Sequence, residues 1–126
     1  MEDRSQKILL LIRERFLMFL YESLFKTNQF LVLKTESGKD MRRMLKANKF
    51  NLIVLGMMLD KKDLEFLVDN ALSEKVPVLF LNIDTTKDFL EAYLKYDQYV
   101  YIDILTDDPK TILKKAKNLM IKYKAG

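Results

Sequence analysis

The chain contains no cysteine and no histidine. The first absence excludes disulfides and thiolate catalysis. The second removes imidazole acid–base chemistry, and together they remove the usual zinc and copper ligand sets. Glycine and proline are sparse, at three and two residues, and no Pro/Gly-rich linker, repeat or low-complexity tract divides the chain. No hydrophobic run approaches the roughly 20 residues that a membrane-spanning helix needs. The N-terminal apolar run begins after Met1-Glu2-Asp3-Arg4 and meets Arg13-Glu14-Arg15, which breaks it where a secretory signal would continue. The expectation is a cytoplasmic chain without membrane contact. The net charge of +4 is modest and does not by itself imply nucleic acid.

What is present fits one folded unit over residues 1–126. The chain is 49% hydrophobic and 32% charged, a composition of globular rather than disordered proteins. Apolar runs alternate with helical patterns five times. Lys7 to Ile12 is the first run, followed by a helix over Glu14 to Lys26. Phe30 to Leu33 reads as a second strand, and Ser37-Gly38 opens a helix reaching about Asn48. Phe50 to Leu55 is the third strand, and Asp63 to Glu74 carries Leu64, Leu67, Val68, Ala71 and Leu72 at helical spacing. Val76 to Ile83 and Tyr99 to Ile104 are the fourth and fifth strands, with a helix over Thr86 to Lys95 between them. Asp108 as N-cap and Pro109 in the first turn start the last helix. Its apolar stripe is Ile112, Leu113, Ala116, Leu119, Met120 and Tyr123. Strands apolar throughout, each followed by a helix, belong to a parallel sheet covered on both faces. Ligands of such sheets collect beyond the carboxyl ends of the strands.

Four segments, in order, resemble the receiver domains of bacterial response regulators. Ser37 to Lys46 is similar to that family's "NGEEALELLK" helix opening, and Phe50 to Leu55 to its "PDLIVLD" strand. Val76-Pro77-Val78-Leu79-Phe80-Leu81-Asn82 resembles "VPVIMLT", and Asp97 to Asp103 resembles "DDYLxKP". The resemblance covers nearly the whole chain and implies a CheY-like α/β fold. That fold is a doubly wound, five-stranded parallel sheet, (βα) five times, in a three-layer α/β/α sandwich. A flavodoxin relationship would call for a phosphate-binding loop after the first strand, where Ile12-Arg13-Glu14-Arg15 offers neither glycine nor hydroxyl.

The resemblance also locates a chemistry that these residues cannot perform. Receivers transfer a phosphoryl group to an aspartate, with Mg²⁺ held by carboxylates and a hydroxyl and a lysine on the transferred oxygens. The acidic pair falls here on Ile12 and Arg13, the acceptor on Gly56, the hydroxyl residue on Asn82 and the lysine on Ile102. All five positions are altered, so the resemblance implies a degenerate receiver, or pseudo-receiver, with no catalytic residues, no cofactor and no metal. Arg13 has two readings. It either supplies the missing positive charge by pairing with carboxylates at this rim, or it is a solvated loop residue. Glu14, Asp60, Asp84 and Asp103 are the carboxylates nearest such a rim, and scattered acids of this kind are ordinarily solvated.

Function then falls to surfaces. Tyr99 occupies the receiver's switch-aromatic position, and Tyr93, Tyr96 and Tyr101 surround it. In the first helix Phe16 to Tyr21 is apolar for six residues, more than one buried stripe can absorb, which nominates Met18, Phe19 and Tyr21 as a second candidate surface. The last helix is rich in lysine, without an acid from Pro109 onward, as suits a solvated helix end. Nucleic acid is not expected for this domain alone. The expectation is a phosphorylation-independent regulatory interaction module, homodimeric and not an enzyme. It would contact a protein partner or the output domain of a longer regulator, such as a transcriptional activator. A ligand sensor for a nucleotide or cyclic dinucleotide is the alternative.

Overall fold

Ile8 to Ile12 are buried without interruption, and alternate side chains enter different cores. This is how a parallel strand covered on both faces behaves. The computed structural model describes residues 6–81 and 108–123, together with the backbone of 99–102. In chain order the elements are β1 (Lys7–Ile12), α1 (Arg15–Thr27), β2 (Leu31–Thr35), α2 (Gly38–Ala47), β3 (Leu52–Gly56), α3 (Lys61–Glu74), β4 (Val78–Leu81), β5 (Tyr99–Ile102) and α4 (Pro109–Lys122). The strands form one sheet in the order β2-β1-β3-β4-β5, and every adjacent pair is parallel. The helix expected over residues 86–95 lies outside the described residues.

Each sheet face carries its own core. Leu9, Leu11, Ile53, Leu55, Val78 and Phe80 pack with Met41 and Leu45 of α2 and with Leu64, Leu67, Val68 and Ala71 of α3. Ile8, Leu10, Ile12, Leu52, Val54, Leu79 and Leu81 pack with Tyr21 and Phe25 of α1 and with Ile112, Ala116, Leu119 and Met120 of α4. Every one of these side chains is less than a tenth exposed. At roughly 1.5–3 kcal/mol for each fully buried large apolar side chain, such burial is the main term opposing chain entropy.

Local chemistry sets the helix boundaries. Ser37, Asp60 and Asp108 each accept the backbone N–H three residues on, capping α2, α3 and α4. Glu14 does the same for α1, its carboxylate accepting from Phe16 N at 3.2 Å and Leu17 N at 3.0 Å. At the other end of α1, Gln29 takes a left-handed φ of 70°. Its N–H reaches Lys26 O, and Phe30 N reaches Phe25 O, while the Phe25 and Phe30 rings meet edge to face at 6.1 Å. This is the Schellman arrangement. Phe30 is thereby committed to the helix end, which is why β2 begins at Leu31 rather than at Phe30. The end of α3 repeats the device, with Lys75 at φ 58° and Val76 N on Ala71 O, so β4 starts at Val78 instead of Val76. Asp60 as cap likewise starts α3 at Lys61, ahead of the expected Asp63.

Candidate functional site

The carboxyl ends of β1 and β3 meet where Ile12 stands opposite Gly56 in the parallel register. Alternation along β1 sends the Ile12 side chain into the core shared with α1 and α4, and it is only 1% exposed. Position 12 is thus filled by a packed sec-butyl group. Gly56 ends β3 and is itself buried. It is followed by a buried Met57 and an exposed Met58, so neither the strand end nor the two residues after it carry a carboxylate.

Arg13 leaves the sheet into solvent. Its guanidinium donates to the Glu36 carbonyl at 3.5 Å, an exposed and long contact. Among the described residues it pairs with no carboxylate, which agrees with the reading of Arg13 as a loop residue, here tethered to the backbone. Two of the rim acids have other employment: Glu14 caps α1 and Asp60 caps α3. Asp84, Asp103 and Asn82 lie outside the described residues. Ile102 ends β5 opposite Leu81, and only its backbone is described. Among the described residues no three acidic side chains gather as a metal ion would require, and no helix is long and apolar enough to cross a membrane.

The two candidate surfaces fare differently. Tyr93 and Tyr96 lie outside the described residues, and Tyr99 and Tyr101 are placed on β5 by backbone alone. On α1, Phe16 and Phe19 are each 67% exposed, whereas Tyr21 is 2% exposed. Tyr21 is therefore a core residue and not part of an interaction surface. Its position four residues before Phe25 places both on the inner stripe, while Phe16 and Phe19, three apart, share the outer one. Met18 is intermediate and packs at the core margin.

Beside that outer stripe lies a feature that the sequence reading missed. A groove of about 450 Å³ opens between α1, the ends of β1 and β2, and the start of α2. Met18 and Phe19 line it together with Arg13, Arg15, Lys34 and Glu36. Glu22, also in its wall, accepts from Lys26 at 2.8 Å and Lys34 at 2.9 Å. These two lysine contacts hold the Glu22 carboxyl below its ordinary value. The i, i+4 spacing of Glu22 and Lys26 was visible in the sequence. The contribution of Lys34 depends on β2 lying beside β1.

No protein-family model matches the sequence, and no curated protein matches it. Solved structures do. The signal receiver domain of an HD domain-containing protein from Pseudomonas fluorescens superposes with a TM-score of 0.80 at 12% identity, over 98% of this chain and 92% of that one. A CheY-like receiver domain protein from Methanospirillum hungatei gives 0.76 at 14% identity, over 95% and 97%. Vibrio cholerae chemotaxis protein CheY4 gives 0.72 at 14% identity, over 91% and 98%. At such identities the likeness is one of fold, and the fold is that of a CheY-like receiver domain.

Proposed function

We propose that this chain is a pseudo-receiver, a signalling module that keeps the receiver architecture and acts without phosphorylation through protein contacts. The observation that carries this reading is the pairing of Ile12 with Gly56 at the carboxyl ends of β1 and β3. In the receivers it resembles, this is the place of a metal-binding acid and the phosphoryl acceptor. Glycine offers no nucleophile, and Ile12 is locked into an apolar core. In this reading the complete architecture is the doubly wound (βα) five-fold repeat, with a helix between β4 and β5. The module is not an enzyme, works in the cytoplasm, and forms a homodimer or contacts an output domain, a transcriptional regulator among the options. Receiver domains of solved structures occur within a histidine kinase and within an HD domain-containing protein, which supports an output partner of this general kind.

The test is chemical. Incubated with acetyl phosphate or phosphoramidate and Mg²⁺, the protein should retain its intact mass. One stoichiometric phosphoryl adduct, labile to hydroxylamine, would refute the pseudo-receiver reading.

A further inference from the structure

The groove beside α1 has the dimensions and the charge arrangement of a small-molecule site. Its volume of about 450 Å³ falls within the ~300–1,000 Å³ typical of ligand pockets. One wall is apolar, built by Met18 and the exposed ring of Phe19. The formal charges of the lining are balanced, but the pairings are not. Glu22 is shared by Lys26 and Lys34, so one carboxylate answers two ammonium groups, and Asp40, at the α2 end, is paired with Arg43 at 2.9 Å. This leaves Arg13 and Arg15, which among the described residues have no carboxylate partner, facing a single unpaired acid, Glu36. Two guanidinium groups facing one carboxylate, beside two lysines sharing another, leave a net positive charge around the groove. Guanidinium forks match the geometry of carboxylates and phosphate oxygens.

We propose that this groove binds a small organic anion with a flat apolar body. The carboxylate or phosphodiester oxygens would meet Arg13 and Arg15, and the apolar body would lie on Met18 and Phe19. The site borders the end of β1 at Ile12 and Arg13 but does not include Gly56 and requires no phosphorylation, so it stands or falls independently of the pseudo-receiver reading.

Three probes separate charge from apolar contact: 3-phenylpropanoate, its neutral amide, and acetate. Amide-resolved NMR titration of the full chain should show saturable shifts with 3-phenylpropanoate around Arg13–Phe19 and Lys34–Glu36, half-saturating near or below about 1 mM. The amide and acetate should each bind at least about 5-fold more weakly. The double variant Arg13→Gln/Arg15→Gln should weaken the acid about 10-fold, and Glu36→Gln should strengthen it about 2-fold by removing the opposing charge. Absence of a saturable shift, equal binding of acid and amide, or an unchanged affinity in the arginine variant would each overturn the assignment. The comparison of acid with amide uses the unmodified protein and holds even if a variant folds poorly.

Discussion

In the proposed pseudo-receiver reading, three residues at one strand junction set aside phosphoryl chemistry, and they do so by different means. Gly56 removes a functional group, Ile12 replaces a charge with core packing, and Arg13 inverts a charge but leaves it in solvent. The identities were legible in the sequence, and their consequences were only partly so. Whether Arg13 is a lock or a loop residue depends on which side chains surround it, and that follows from how β1 and β2 end beside one another. The structure separates the two positions energetically. Arg13→Ala removes one long contact to a carbonyl and should change stability by no more than about 0.5 kcal/mol, the range of ordinary surface changes. Ile12→Asp would place a carboxylate among Tyr21, Phe25 and Ile112 and should cost about 3 kcal/mol or more, or raise that carboxyl's pKa until it is neutral. Urea unfolding of both variants checks the contrast. A loss above 1 kcal/mol for Arg13→Ala, on the scale of a buried pair, would restore the charge-lock reading.

At the scale of elements, capping and packing explain boundaries that periodicity missed by one or two residues. Phe30 and Val76 are apolar and next to strands, so they read as strand residues, yet both are drawn into helix ends. A left-handed glutamine or lysine is a weak sequence signal, since glycine is the usual occupant. The contact between α2 and α3 carries a less visible constraint. A Cβ on Gly38 would collide with the Asp63 carboxylate, which Arg42 Nε holds at 2.7 Å while the Arg42 guanidinium stacks on Phe66 at 5.0 Å. Helix propensity alone favours Gly38→Ala by up to about 1 kcal/mol. Here the substitution must displace Asp63 and break its pair with Arg42, so no gain, or a loss of up to about 1 kcal/mol, is expected. In an Asp63→Ala background the obstacle is gone and Gly38→Ala should stabilise. A double-mutant cycle reads the change of sign directly, and additivity would contradict the packing argument. On α1, Glu22 gives a pH-dependent counterpart. Its native pKa is lowered by Lys26 and then Lys34, so its contribution is complete above the ordinary glutamate value of 4.5. That contribution is lost as the pH falls through the lower native value. Denaturation midpoints at neutral and acid pH should therefore converge between the native chain and Glu22→Gln in acid, and diverge in favour of the native chain at neutral pH.

For the molecule as a whole, the sequence carried the parallel sheet because buried strands on both faces leave no polar alternation to misread. The run Ile8-Leu9-Leu10-Leu11-Ile12 states that it is covered twice, and the two cores confirm it. Surfaces were harder to read, because a helix with six successive apolar residues shows an excess without showing which side chains carry it. The structure assigns that excess to Phe16 and Phe19 and withdraws Tyr21. Two phenylalanines, each two-thirds exposed on adjacent turns, are the kind of anchor that interface cores favour, and a two-fold dimer is the simplest closed way to cover them. In the proposed pseudo-receiver reading phosphorylation cannot toggle such a face, so association should not depend on phosphodonors, whereas 3-phenylpropanoate, which would share Phe19, should compete with it. We expect a homodimer at micromolar concentration whose mass is unchanged by phosphodonors. Phe19→Glu should shift it to monomer by putting a charge at the centre of the contact. Phe16→Glu should act in the same direction, and Tyr101→Glu should leave the dimer intact unless the β5 side is the contact used. Light scattering at about 100 μM, well above a micromolar dissociation constant, decides the matter: a monomer there removes the homodimer and leaves these phenylalanines to a different protein.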